Sequence, residues 1–98
     1  MSRFLASVNI FADSTQIDNV IEALSKLRNI EEVYEVAGEY DIVTLVSTPT
    51  LEEFRDTLQK QIMKIKGVKS TISTIILEPH KGHRCIKKTT ITSTNQLG

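Results

Sequence analysis

Residues 31–47 read EEVYEVAGEYDIVTLVS, two β-rich runs joined by the turn Gly38-Glu39-Tyr40-Asp41. The first run, 31–37, alternates Val33 with Tyr34, and the second, 42–47, is β-branched and apolar on both faces. The stretch therefore predicts two consecutive strands, joined by a turn in which Gly38 permits positive φ. A simple turn does not need an acid, an aromatic and a second acid after its glycine.

On the N-terminal side of this pair, one strand and one helix are predicted. Residues 4–11 alternate with a period of two, and residues 16–28 carry apolar side chains at helical spacing. The segment 13–15 supplies candidates for the helix N-cap, and Thr15 and Asp18 have the spacing of a capping box.

On the C-terminal side, the same two kinds of element follow. Thr50 and Glu53 have capping-box spacing at the start of a second amphipathic helix, and Gly67 is placed to end it in a left-handed conformation. Residues 70–78 form the last predicted strand, which ends at Pro79.

The order β-α-β-β-α-β predicts a ferredoxin-like α+β fold, with a four-stranded antiparallel sheet and both helices on one face. The first and third strands should lie in the centre and the second and last at the edges. The uncovered face would expose apolar groups, with Leu5 or Phe11 and Thr44 or Leu45 among them. Self-association, face-to-face or edge-to-edge, would cover them.

The chain of 98 residues divides by composition into a domain, 3–78, and a basic Ser/Thr-rich tail, 79–98. Residues 1–78 hold eight Lys and Arg and all twelve acids, a net charge of −4, while the tail carries +4. An acidic body repels phosphate, which argues against direct DNA binding. The tail is expected to be mobile, with a short strand at 85–92 as the alternative.

Features of export are not apparent. The N-terminus has no apolar block followed by a cleavage site, no apolar stretch approaches the length of a membrane span, and Cys85 is the single cysteine. These features predict a cytoplasmic protein without a membrane segment.

The histidines and the single cysteine of the chain all lie at or after residue 80. Residues 1–78 contain no histidine, no cysteine and no glycine-rich phosphate loop, so no catalytic residue and no cofactor are predicted. His80, His83 and Cys85 are metal-ligand types at short spacing, but they lie in the tail and lack a fourth ligand. No metal site is predicted, and the chain is expected not to be an enzyme.

The turn Gly38-Glu39-Tyr40-Asp41 has the groups that an α-amino acid needs. Backbone N–H groups after Gly38 can bind a carboxylate, and Asp41 can accept from an ammonium group. Such a turn is expected to need only Gly38 for its fold. The alternative is that Glu39 and Asp41 are solvated and Tyr40 packs.

Thr71 and Ser73 lie two residues apart on the last predicted strand, so their hydroxyls share one face. Because this strand and the second strand are at opposite edges, the turn should meet these hydroxyls across a subunit boundary.

Residues 32–43, EVYEVAGEYDIV, together with 67–74, GVKSTIST, resemble the effector domain of the leucine-responsive regulatory protein (Lrp/AsnC) family of transcription regulators. The resemblance covers about residues 3–78 and is carried by the G-x-Y-D turn after a V-x-E-V-x-x-G strand. The basic tail is not part of it.

Membership of that family implies a domain that binds small effectors, commonly amino acids, in clefts between dimers that assemble into rings. By position, Gly38, Glu39, Tyr40 and Asp41 would form the loop over the effector, and Thr71 and Ser73 would come from a neighbouring subunit. The chain resembles the stand-alone version of the domain, without the helix-turn-helix. Its implied role is an amino-acid sensor that co-assembles with full-length regulators.

Two other families share the predicted fold. ACT domains also bind amino acids, but they have an Asp-x-Pro-Gly type turn after the first strand, where this chain has Ala12-Asp13-Ser14-Thr15. A dimeric α/β-barrel monooxygenase would need polar residues lining a closed pocket, for which Asn9 and Tyr34 are the only candidates.

Overall fold

The structure, a computed structural model, describes residues 3–82. Four strands are present: β1 (Phe4–Ala12), β2 (Ile30–Glu35), β3 (Ile42–Thr48) and β4 (Val68–Ile76). A 3₁₀ turn (Ser14–Gln16) leads into helix α1 (Ile17–Ser25), and α2 (Leu51–Asp56) continues as a π-helix (Thr57–Ile62). The predicted β-α-β-β-α-β order and the ferredoxin-like α+β fold are confirmed.

The sheet has the order β2-β3-β1-β4, with β1 and β3 in the centre as predicted, and all its neighbouring strands are antiparallel. One register shift lies in β1, between Phe11 and Ala12, where it pairs with β4. The helices cover one face, and the core lies beneath them; its fully buried side chains include Val8, Ile10, Val20, Leu24, Ile42, Val46 and Ile62.

One of the predicted N-cap candidates at 13–15, Asp13, caps the turn that leads into α1. The carboxylate of Asp13 accepts from the Thr15 backbone N–H at 2.9 Å and caps the 3₁₀ turn, while Gln16 at the start of α1 makes no side-chain cap bond. The predicted capping box of Thr15 and Asp18 is therefore wrong. An aspartate two residues before a free N–H is itself a good acceptor.

The second helix begins as predicted, with Thr50 Oγ1 accepting from the Glu53 N–H at 3.1 Å. Its second half widens, and the Met63 N–H bonds to the Leu58 carbonyl. Bonding to the fifth residue back brings residues five apart onto one side of the helix. Thr57 and Ile62, exposed by 1% and 0%, are both buried as a result.

Gly67 connects this helix to β4 at φ +106°, in agreement with the predicted left-handed end. Its backbone is close to α1, because a Cβ at Gly67 would lie 3.0 Å from Val20 Cγ2. The Asp13 N–H also donates to the Gly67 carbonyl at 2.8 Å, which ties the start of β4 to the end of β1.

The sheet face without helices, called the free face below, carries a set of apolar side chains among polar ones. Cross-strand pairing places on it Leu5, Phe11, Val43, Leu45, Ile72 and Ile76. Ile72 is 47% exposed, whereas Leu5 and its cross-strand partner Ser47 are buried. Arg3 contributes to that burial, since its guanidinium donates to Ser47 Oγ at 2.8 Å and to the Ser47 carbonyl at 3.0 Å.

Within residues 3–82, no helix has the length and apolar character needed to cross a bilayer.

Candidate functional site

Residues 36–41 connect β2 to β3 and are called the effector turn below. The turn is closed by the Val36 N–H, which donates to the Asp41 carbonyl at 3.0 Å. Gly38 does not have positive φ, so the turn does not use the left-handed conformation that a glycine permits. The six residues of the turn are enough to reverse the chain through open bends, without a left-handed residue. A Cβ at Gly38 would meet no atom within 4 Å.

Asp41 attaches the effector turn to β1. Its backbone N–H donates to the Ile10 carbonyl at 3.0 Å, and its Oδ2 accepts from the Ala12 backbone N–H at 2.8 Å. Ala12 lies at the register shift of β1, where the regular ladder is interrupted and an N–H needs another acceptor. The half-buried carboxylate is thus fixed in direction.

The second oxygen of Asp41, Oδ1, has no hydrogen-bond partner among residues 3–82. A carboxylate can accept several hydrogen bonds, so binding to Ala12 leaves capacity for a ligand donor. The expectation that the fold of the turn depends only on Gly38 is wrong, because the hydrogen bond from Ala12 to Asp41 also holds the turn. The same carboxylate can accept a second hydrogen bond.

Tyr40 packs on the free face of the sheet. Its ring centroid lies 5.1 Å from that of Phe11, with the planes tilted by 58°. Tilted aromatic pairs at this separation are stabilising, so Tyr40 has the packing role that the alternative interpretation gave it. Gly38 and Glu39 are exposed at the tip of the turn.

Backbone donors are available at that tip. In the described part of the chain, the N–H groups of Gly38, Glu39 and Tyr40 have no hydrogen-bond acceptor. These consecutive donors directly precede Asp41 in the chain. The turn therefore has donors for an anionic group and an acceptor for a cationic group within four residues.

Thr71 and Ser73 share one face of β4, where they pair with Ile10 and Val8 respectively. Thr71 is half-buried and Ser73 is exposed. Strand β1 lies between them and β3, so within one chain they are on the far side of β1 from the effector turn. The structure thus does not bring the two parts of the predicted site together in a single copy.

The sequence did not predict the contacts that support the turn, from Ile10 and Ala12 to Asp41 and from Phe11 to Tyr40. Phe11 could be placed on the free face from strand alternation. The acceptor and donor roles of Ile10 and Ala12 depend on the register shift, which leaves no sequence pattern.

The candidates for a monooxygenase pocket, Asn9 and Tyr34, lie on the open free face with Val43 between them in the sheet. Tyr34 is 54% exposed, and its hydroxyl donates to Glu32 Oε1 at 3.0 Å, a bond that raises the pKa of Tyr34 above 10.0. The two side chains do not form a closed pocket with each other.

Residues 3–82 contain no group of three His, Cys, Asp or Glu side chains that could hold a metal ion. His80 is exposed, while His83 and Cys85, like the alternative strand at 85–92, lie outside the described residues.

Comparison with known proteins connects this geometry to one family. The model of the Lrp/AsnC ligand binding domain matches residues 5–86. The HTH-type transcriptional regulator FL11 of Pyrococcus furiosus is 35% identical over 77 residues, 79% of this chain and 50% of the regulator. The chain spans about half the length of the curated relatives it matches.

Solved structures agree with this match. TTHA0845 from Thermus thermophilus has a TM-score of 0.76 at 29% identity, covering 81% of this chain and 99% of that one. The feast or famine regulatory protein of M. tuberculosis, solved in complex with L-methionine, has a TM-score of 0.71 at 34% identity and covers 83% and 54%. This chain belongs to the Lrp/AsnC ligand binding domain family.

Proposed function

We propose that this chain binds a small effector, an amino acid, at the effector turn. The observation that carries the proposal is the Asp41 carboxylate, which Ala12 holds at 2.8 Å and which keeps one oxygen free in the same turn as the unpaired N–H groups of residues 38–40. An ammonium group would bind Asp41 Oδ1, and a carboxylate would bind the backbone donors. A related regulator was solved with L-methionine, which supports this class of ligand.

The remaining polar groups of the site come from a neighbouring subunit in this proposal. Thr71 and Ser73 would supply hydroxyls, and Gly38, Glu39 and Tyr40 would form the loop over the ligand. The position of β1 between β4 and the turn supports an intersubunit cleft, since β1 separates the two parts within one copy. The apolar free face would form a second, different contact that pairs copies into dimers.

The proposed cellular role is that of an amino-acid sensor in the cytoplasm, acting as a stand-alone effector domain that co-assembles with full-length regulators. No enzymatic step and no direct DNA binding are included in the proposal. The acidic net charge of residues 1–78 supports the second exclusion.

A thermal-shift screen of the twenty amino acids tests the proposal. A ligand present at 100 times its Kd should stabilise the fold by about 2.7 kcal/mol, which for a domain of this size is a rise in Tm of roughly 10 to 20 °C. The matched control is each amino acid amide, which has the ammonium group without the carboxylate. If the assembled protein responds to none of the twenty amino acids at millimolar concentration, the proposal fails.

A further inference from the structure

Two aromatic side chains join the effector turn to the free face of the sheet. Tyr40, in the turn, packs on Phe11 of β1, and their ring centroids are 5.1 Å apart. Phe11 lies on the free face because its neighbour Ile10 is fully buried on the opposite side of the same strand. Phe11 and Tyr40, called the aromatic pair below, are both half-buried in the single chain.

The aromatic pair lies between the two hydrogen bonds that hold the effector turn to β1. The Ile10 carbonyl accepts from the Asp41 N–H at 3.0 Å, and the Ala12 N–H donates to Asp41 Oδ2 at 2.8 Å. The peptide bond between Tyr40 and Asp41 carries the first of these N–H groups, so the position of the Tyr40 ring and that hydrogen bond depend on each other. The register shift after Phe11 interrupts the regular ladder here, which leaves side-chain packing to fix the turn.

The aromatic pair also belongs to an apolar part of the free face. Phe11 pairs with Ser70 of β4, and Ile72, two residues further along β4, is its diagonal neighbour on the same face. Ile72 is 47% exposed. In the proposed face-to-face contact a second copy of this chain would cover exposed apolar surface of this kind. The pair is thus shared between the effector turn and that contact.

We propose that Phe11 is a positioning residue, which through Tyr40 connects the face-to-face contact between two copies to the ligand-binding backbone of the effector turn. The inference rests on the proposed function for its ligand. A second copy against the free face removes the remaining exposed surface of the aromatic pair from water, which favours the packed position of Tyr40. That position keeps the hydrogen bonds of Asp41 in place, and with them the direction of its free oxygen.

Tyr34 offers a comparison on the same face. It is 54% exposed, its hydroxyl donates to Glu32 of its own strand, and its ring has no aromatic partner among residues 3–82. Tyr34→Leu therefore removes an aromatic ring from the free face without touching the effector turn. Leucine keeps an apolar side chain at the position, as it does in Phe11→Leu, so the two substitutions are matched.

Amide hydrogen exchange, followed by NMR without any ligand, tests whether Phe11 holds the turn. The reporters are the Asp41 and Ala12 N–H groups, and the Met63 N–H, bonded within the second helix, is the internal standard. Phe11→Leu should speed exchange of both reporters roughly two- to tenfold relative to Met63, the range that one aromatic pair accounts for. Tyr34→Leu should leave the rates unchanged, and Phe11→Tyr, which keeps the ring, should retain the wild-type rates. Equal rates in Phe11→Leu and the wild type would overturn the inference.

A double-mutant cycle with Leu45→Lys tests the connection to the second copy. Leu45 pairs with Ser7 on the free face, roughly 13 Å along the sheet from Phe11, which is too far to touch the aromatic pair. Breaking the face contact there should speed the same two reporters in the wild type and add no further change to Phe11→Leu. Leu51→Lys, on the second helix, is the charge control and should change neither rate. If Leu45→Lys has no effect, or if its effect multiplies that of Phe11→Leu, the face contact does not act through Phe11 and the inference is overturned.

The panel of twenty L-amino acids, at about 10 mM each, separates this inference from the proposed function. If none raises the Tm of the wild type, the proposed function fails, while the exchange rates still decide the role of Phe11. If one does, its affinity in calorimetric titration should fall roughly two- to tenfold in Phe11→Leu and stay at the wild-type value in Tyr34→Leu and Phe11→Tyr. Unchanged affinity in Phe11→Leu would overturn the inference and leave the proposed function intact.

Discussion

At the scale of single residues, Asp41 has both a structural bond and a free acceptor oxygen. Its Oδ2 accepts from the Ala12 N–H at 2.8 Å, and removing the carboxylate would leave that half-buried donor without its partner. Asp41→Ala would therefore reduce folding stability and ligand binding at the same time. The amide of asparagine separates them, because its carbonyl oxygen can still accept from Ala12 while the charge is gone.

We expect Asp41→Ala to lower the free energy of unfolding by about 1 to 3 kcal/mol, and Asp41→Asn to lower it by less than about 1 kcal/mol. Both should weaken the amino acid found by the screen at least about tenfold, or ~1.4 kcal/mol, since both lose the charge-assisted bond. Urea unfolding and calorimetric titration measure the two quantities. Wild-type affinity in Asp41→Asn would mean that the carboxylate is structural only.

Thr71 tests the other half of the site. Thr71→Val keeps the branched shape and removes one hydroxyl, so it should weaken the ligand by roughly 0.5 to 1.5 kcal/mol without loss of folding stability. Thr74→Val is the matched control, because Thr74 lies on the same strand but on the free face, paired with Ser7. Equal effects of the two substitutions in calorimetry would remove Thr71 from the site.

At the scale of elements, the two glycines of the α2–β4 connection and the effector turn differ sharply. Gly67 has φ +106° and lies against Gln16 and Val20 of the first helical region. Gly38 has neither restriction. From the sequence alone, the backbone conformations of the two glycines could not be distinguished, since each glycine follows a regular element.

Gly67→Ala should therefore destabilise the fold by at least about 1 to 3 kcal/mol, from backbone strain and from the contact of the new methyl group with α1. Gly38→Ala is its control and should be neutral or stabilising by up to about 1 kcal/mol, because it restricts the unfolded chain. Thermal unfolding of the two variants gives the comparison. A Gly38→Ala variant that unfolds as easily as Gly67→Ala would contradict the observed backbone of the effector turn.

The cap of the 3₁₀ turn makes stability depend on pH. Hydrogen bonds from the Thr15 N–H and hydroxyl lower the pKa of Asp13 below 3.8 in the folded state. A carboxyl group with a depressed folded pKa stabilises the fold above its unfolded pKa, and this contribution is lost as pH falls through the folded value.

The difference in Tm between the wild type and Asp13→Asn should accordingly be constant from pH 5 to 7 and shrink below about pH 3.8. Differential scanning calorimetry across this range measures it. A difference that stays the same down to pH 2.5 would show that the charge on Asp13 does not contribute.

At the scale of the whole molecule, the free face and the sheet edges are different surfaces and should form different contacts. Leu45 is half-buried in the middle of the free face, on the central strand β3. A lysine there would place a charge in the proposed dimer contact without touching the helix-side core. The exposed Leu51, 50% accessible at the start of α2, offers a matched position outside both contacts.

Leu45→Lys should break the face-to-face contact and reduce the smallest species from a dimer to the 11.0 kDa monomer, while Leu51→Lys should leave the wild-type assembly unchanged. Analytical ultracentrifugation at tens of micromolar distinguishes these masses. If the wild type is already a monomer at that concentration, the expected assembly beyond a dimer is wrong.

Local patterns were sufficient for much of the fold. The alternation in 4–11, the helical spacing after Thr50 and the order of elements depend on neighbouring residues, and the handedness of crossovers then determines the strand order. The effector turn was recognisable for the same reason, because its acid, aromatic and acid are consecutive.

The tertiary structure alone decided how that turn is held. Asp41 and Ala12 are 29 residues apart, and their bond exists because a register shift in β1 leaves an N–H that only a folded neighbour can reach. The ordinary φ of Gly38 and the widened helix at Thr57 likewise follow from closure and burial. Such features arise from contacts between segments that are distant in sequence. Local residue patterns do not specify these contacts.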